Sequence, residues 1–156
     1  MPEHADAILA RLDRQIEQRT TSWEEILESV VRDLAAGSDH FHWTGIYLVE
    51  EDALVLGPFV GAPTEHGRIP IGRGICGAAA AERRTIVVDD VRADPRYLSC
   101  FLSTRSEIVV PILRGPRVIG EIDIDSDRPA AFGASDRDLL EAVAERLARL
   151  APEGPS

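Results

Sequence analysis

The run SEIVVPIL, residues 106–113, then RGP, then RVIGEIDID, residues 117–125, constrains this chain more than any other stretch. The first segment reads as a buried strand, rich in β-branched residues. The second reads as its partner, with RGP as the hairpin turn between them. In the second segment polar and apolar residues alternate. Asp123 and Asp125 therefore share one face, and Ile122 and Ile124 share the other. Acids on a central strand are not expected in a core, so this face of the sheet is a candidate site.

Other elements surround that hairpin. ADAILARLDRQIEQ carries Ile8, Leu9 and Leu12 at helical spacing. SWEE opens a second helix, with Ser22 as cap and Glu25 completing a capping box, and Gly37 ends it. FHWTGIYLVE and ALVLGPFV read as two strands joined by the polar EDA turn. GRGICGAAAAERR reads as a glycine-rich loop running into a short helix, and TIVVDDV as a short strand. ASDRDLLEAVAERLARL reads as a terminal helix capped by Ser135, with Leu139, Leu140, Val143, Leu147 and Leu150 on one face. This order predicts a single α+β domain: a central, mostly antiparallel sheet with N- and C-terminal helices packed on one face. The middle section, about residues 60–105, holds little regular pattern, and long loops of this kind cover pockets.

Bulk properties exclude several function classes. The formal net charge of −10 repels phosphate backbones and offers no basic cluster to an anionic membrane, so neither nucleic acid nor membrane is an expected partner. The charged first residues do not form a signal peptide, and no apolar run reaches the ~20 residues of a membrane helix. Two cysteines, Cys76 and Cys100, fit a reducing cytoplasm. His4, His40, His42 and His66 with these cysteines give no metal-ligand spacing, and GRG is too short for a phosphate loop.

The segments HWTGIYLVEEDALVLGPFVGAP, RIPIGRGICGAAAAE, VVDDVRADPRYLSC, SEIVVPI and VIGEIDID together resemble a GAF domain, more narrowly the free methionine-(R)-sulfoxide reductases built on that fold. The resemblance runs over about residues 41–150, and the chain reads as N-terminal helices of the domain at 1–37, the GAF domain at 38–150 and a disordered tail at 151–156. The resemblance implies reduction of free methionine sulfoxide by a cysteine thiolate, with no bound cofactor and an external thiol reductant such as thioredoxin. The position resembling the catalytic cysteine is Cys100, and a second family cysteine is matched by Cys76. The third, which closes a disulfide onto the catalytic one, falls at His66 when counted back without gaps. Phe101 stands where the family usually has aspartate. The family's acids are matched by Glu107, Asp123 and Asp125, and its pocket aromatics by Trp43 and Tyr47.

The chemistry makes demands of its own. Sulfoxide reduction needs a soft nucleophile and a proton source for the departing oxygen. A protonated Glu107 or Asp125 would supply the proton. Cys100 would be left as a sulfenic acid, with Cys76 the other thiol in the chain and an external dithiol completing the cycle. Asp94 and Pro95 suit the start of a short helix ending near Cys100. Cys76 falls in the first turn of its own helix, where the dipole favours a thiolate. Acids and the Trp43 face suit the substrate's ammonium; Arg73 or the amides of IGRGICG suit its carboxylate. The alternative is a non-catalytic GAF sensor that binds a small molecule or reports oxidation through Cys100, with that cysteine otherwise a small buried hydrophobe. The terminal helices are candidates for pairing two copies in a homodimer.

Overall fold

The computed structural model describes residues 2–98 and 103–153. Helices α1 (Pro2–Gln18) and α2 (Trp23–Gly37) lead into strands β1 (Trp43–Glu50), β2 (Ala53–Val60) and β3 (Arg68–Pro70). Helix α3 (Gly74–Glu82), strand β4 (Ile86–Val88), a single 3-10 turn at Val91–Ala93, strands β5 (Ser106–Arg114) and β6 (Arg117–Ser126), and helix α4 (Ala134–Leu150) complete the order. The six strands form one antiparallel sheet, ordered β3-β2-β1-β6-β5-β4.

The period of 2 along the central strands sorts the core into two layers. Ile46 of β1, Ile108, Val110 and Ile112 of β5, and Ile122 and Ile124 of β6 face the helices. They pack with Ile8 and Leu12 of α1, Ile26 to Leu34 of α2, and Leu140, Val143 and Leu147 of α4. Each such side chain, fully buried, contributes roughly 1.5–3 kcal/mol. The terminal helices thus cover one face, as expected from their amphipathic patterns. The opposite face carries Trp43, Tyr47 and Val109 and is covered by α3 and the connections around it. The middle of β6 is buried from Gly120 to Ser126, because both faces are covered.

Several local details differ from the sequence reading. Ser22 does cap α2, accepting from the Glu25 amide at 3.2 Å. Its hydroxyl also donates to Glu25 Oε1 at 3.1 Å, so the Glu25 side chain meets the hydroxyl, where a full capping box would have it take the Ser22 amide. Ser135 lies inside α4, whose N-cap is Gly133. The Gly133 amide is taken by Asp136 Oδ2 at 3.1 Å, so the carboxylate three residues on does the capping. The middle section is more regular than its composition suggests. It contains β3, too short to show alternation, and that strand extends the sheet beyond β2.

Among the described residues, the stretch from Pro95 to Leu98 is not helical. Asp94 Oδ1 instead accepts from the Arg96 amide at 2.9 Å, and the carboxylate also holds the Arg96 guanidinium at 2.7 Å. That ion pair closes a turn and holds the Asp94 carboxyl below the usual range, chiefly through the side-chain hydrogen bond. The chain is fixed in this way up to Leu98, whose side chain lies over Gly74. Cys100 and Phe101 lie outside the described residues. Among the described residues no helix is long and apolar enough to cross a membrane.

Candidate functional site

Three central strands present one row each to the face opposite the helices. In β6 the row is Glu121, Asp123 and Asp125. Pairing sets Asp125 between Glu107 of β5 and Trp43 of β1. Asp123 lies between Val109 and Gly45, and Glu121 between Pro111 and Tyr47. Glu107, Asp123 and Asp125, matched to the family's acids from sequence, are therefore cross-strand neighbours on one surface. All are buried, Glu107 and Asp123 at 5% exposed and Asp125 at 4%.

Gly45 makes room for the aromatic wall. A Cβ there would lie 2.4 Å from the Trp43 ring, so the indole folds along its own strand where any side chain would stand. The ring stacks on Phe59 at 5.6 Å and donates from Nε1 to the Ala62 carbonyl at 2.9 Å. Tyr47, 1% exposed, donates its hydroxyl to the His66 carbonyl at 2.8 Å. Both aromatics are thus fixed by a hydrogen bond as well as by packing, as buried Trp and Tyr require.

Helix α3 brings Cys76 over the acids. Its start is tight because the Gly72 amide bonds the Gly77 carbonyl and the Gly77 amide bonds the Arg73 carbonyl. A Cβ at Gly77 would sit 2.7 Å from the Pro70 carbonyl oxygen, so glycine is required there. The Arg73 amide in turn bonds the Pro70 carbonyl at 3.1 Å, so the amides of Gly72, Arg73 and Gly77 are all occupied within the chain. Arg73 itself is exposed and is not among the groups that perturb the acids. Cys76 Sγ lies 4.0 Å from Glu107 Oε2, and both groups are buried.

The electrostatics of this cluster are uniform. Burial raises the Cys76 thiol well above its ordinary value, and Asp123, Glu121, Glu107 and Asp125 raise it further. The helix dipole does not win at this position: a thiolate here would face desolvation and four carboxyl groups at once. Burial likewise pushes Glu107 well up, followed by Asp123 and Asp125. Asp125 is pushed well up for the same first reason, with Asp123 next, and Asp123 is raised by burial. No lysine, arginine or histidine takes part in any of these shifts. Asp123 Oδ1 and Asp125 Oδ1 have no hydrogen-bond partner among the described residues. The surface accepts a cation or supplies protons.

Glu121 belongs to this group and was not picked out from the sequence. It is 0% exposed, neither oxygen meets hydrogen-bond geometry with a partner among the described residues, and burial and then Asp123 raise its carboxyl well above the usual range, with the nearby Cys76 thiol opposing them. The signal was present: Glu121 continues the alternation of Asp123 and Asp125 by one more step.

A cleft of about 130 Å³ reaches Asp125 and Trp43 from outside, lined also by His42, Ala62, Ser103 and Asp127. His42 Nδ1 accepts from the Asp127 amide at 2.9 Å, and the bond pins the end of β6.

The family profile described as GAF domain matches residues 22–150. The chain belongs to the GAF domain family. This GAF domain is 36% identical over 136 residues to "GAF domain-containing protein A" of Dictyostelium discoideum, covering 85% of each protein. It is 38% identical over 109 residues to the "Free methionine-R-sulfoxide reductase" of Escherichia coli (strain K12). That match covers 70% of this chain and 66% of the relative, just under two thirds of the reductase's length. Among solved structures, the free methionine-R-sulfoxide reductase of Neisseria meningitidis in complex with its substrate superposes with a TM-score of 0.85. It is 37% identical, and the match covers 94% of this chain and 87% of the other. The α+β architecture expected from sequence is the GAF fold.

Proposed function

We propose that this GAF domain is a thiol-dependent reductase of free methionine-(R)-sulfoxide. The observation that carries the reading is the buried trio Glu107, Asp123 and Asp125, which has no neighbouring cation among the described residues. A free amino acid brings an ammonium, and the trio with the Trp43 face is suited to receive it. The similarity to proteins named as free methionine-R-sulfoxide reductases supports the same substrate.

In this mechanism the Cys100 thiolate attacks the sulfoxide sulfur. Glu107 or Asp125, held protonated by burial, gives a proton to the departing oxygen. Oxygen passes to Cys100 as sulfenic acid, and methionine leaves. A thiol then attacks the sulfenic sulfur, releasing water and forming a disulfide, and an external dithiol reduces that disulfide. Thioredoxin as that dithiol, pairing of two copies through the terminal helices, and a cytoplasmic location all belong to this proposal. Cys76 is poorly suited to resolve the sulfenic acid, because its thiolate is strongly disfavoured.

One observation favours a second reading. Counted back from Cys76 without gaps, the third family cysteine falls at His66, so a small-molecule or redox sensor on the same pocket is the alternative. The deciding experiment follows NADPH consumption in a coupled thioredoxin assay, and methionine release with dithiothreitol. The reductase reading expects turnover with dithiothreitol, lost in Cys100→Ser, and higher thioredoxin-linked turnover in His66→Cys. Stoichiometric binding of methionine sulfoxide with no turnover under either reductant would favour the sensor.

A further inference from the structure

We propose that Cys76, Glu107 and Asp123 form a binding site for one soft divalent cation of the zinc or cadmium class, with Glu121 beside it as a further donor. One ligand atom from each of the first three residues lies within 4.8 Å of the others. All three side chains are buried, so the site is enclosed by the sheet below and α3 above. Glu121 is the independent observation. It is fully buried on the same face, two residues along β6 from Asp123, neither oxygen meets hydrogen-bond geometry with a partner among the described residues, and the Cys76 thiol lies close enough to interact with it. A carboxylate in that state is an unused ligand.

The donor set selects the metal. One sulfur and two or three carboxylate oxygens are a poor match to magnesium or calcium, which take oxygen ligands throughout. Thiolate with carboxylate suits a borderline ion that accepts four ligands, with metal–sulfur near 2.3 Å and metal–oxygen at about 2.0–2.2 Å. The donors must draw inward from their present separation, which carboxylate rotation allows. On binding, the thiol proton and any carboxyl protons pass to solvent, metal–ligand bonds form, and no oxidation state changes. The site overlaps the acids assigned to the substrate ammonium, so bound metal excludes substrate. That consequence rests on the reductase reading; metal binding itself does not.

The test uses the full chain in the reduced state, titrated with cadmium chloride and read by the thiolate-to-cadmium charge-transfer absorption. The expected result is saturation at one cadmium per chain, displacement by zinc, and loss of the band in Cys76→Ser. Glu107→Gln and Asp123→Asn each weaken cadmium binding by at least tenfold. These two variants keep side-chain volume and relieve carboxyl crowding, so they remain informative if Cys76→Ser folds poorly. No saturable band overturns the proposal, as does a band that survives Cys76→Ser or an affinity unchanged by both acid variants. Sulfoxide turnover in metal-free buffer is measured alongside. Turnover without cadmium binding removes the metal site alone, and cadmium binding without turnover removes the reductase reading alone.

Discussion

Cys76 Sγ sits 4.0 Å from Glu107 Oε2 at the centre of a buried carboxyl cluster, a thiol surrounded by the groups least able to share its negative charge. The first prediction follows directly. In the native protein at pH 8, Ellman's reagent modifies Cys76 at least tenfold more slowly than a free thiol, because only thiolate reacts. Unfolding in guanidinium removes the difference. Rapid labelling of Cys76 in the folded chain, located by peptide mass spectrometry, would contradict the electrostatic description.

The second prediction concerns pH and stability. Glu107, Glu121 and Asp125 have raised carboxyls when folded. The native state therefore keeps protons that the unfolded chain releases above about pH 4. Their contribution to stability is fully present below that value and is lost as pH rises towards the folded values. Asp94, lowered by its Arg96 partner, works in the opposite sense, stabilising above its unfolded value and losing that contribution as pH falls. Burial is the main cause of the Glu121 shift, and neither of its oxygens meets hydrogen-bond geometry with a partner among the described residues. Glu121→Gln therefore stabilises the protein at pH 7 by about 1 kcal/mol or more, a rise of roughly 2–4 °C in Tm per kcal/mol. The gain disappears near pH 4. Melting curves at both values check it, and equal gains at both would be inconsistent with a titrating carboxyl.

The third prediction tests the aromatic wall. Gly45→Ala places a methyl where the Trp43 ring lies, 2.4 Å from the nearest ring carbon. The ring must leave its stack on Phe59, so the variant loses roughly 1–3 kcal/mol. Tryptophan fluorescence shifts with it. An unchanged spectrum and Tm would show that the indole has another position available.

Much of this is legible in the sequence. Amphipathic spacing marked α1, α2 and α4, and turn chemistry marked the β1–β2 and β5–β6 hairpins. The alternation of Asp123 and Asp125 with Ile122 and Ile124 sorted the two faces correctly. What escaped was set by tertiary contact. β3 is 3 residues long and pairs only because β2 is present. Asp94 turned to a nearby arginine rather than capping a helix. The N-terminal position of Cys76 in α3 pointed to a thiolate, but the acids that reverse that preference come from β5 and β6, distant in sequence.

The last prediction addresses the form of the substrate. If the buried acids receive an ammonium, then removing that charge should cost more than removing an equal volume of apolar contact. A peptide bond converts the ammonium to an amide, which has one N–H and no charge. Glu107, Asp123 and Asp125 are then left with an uncharged partner inside a site that excludes water. Each lost bond of this type costs about 1–3 kcal/mol. On the reductase reading the protein should therefore prefer free methionine-(R)-sulfoxide over an N-acetylated or peptide-bound form by roughly 10–200-fold in kcat/KM. Asp123→Asn should narrow the preference chiefly by raising KM for the free amino acid, since the neutral amide still fills the position but no longer attracts a cation. The check is a pair of kcat/KM values for the free and N-acetylated sulfoxides, in wild type and in Asp123→Asn. Equal values in wild type would separate the acid cluster from substrate recognition altogether.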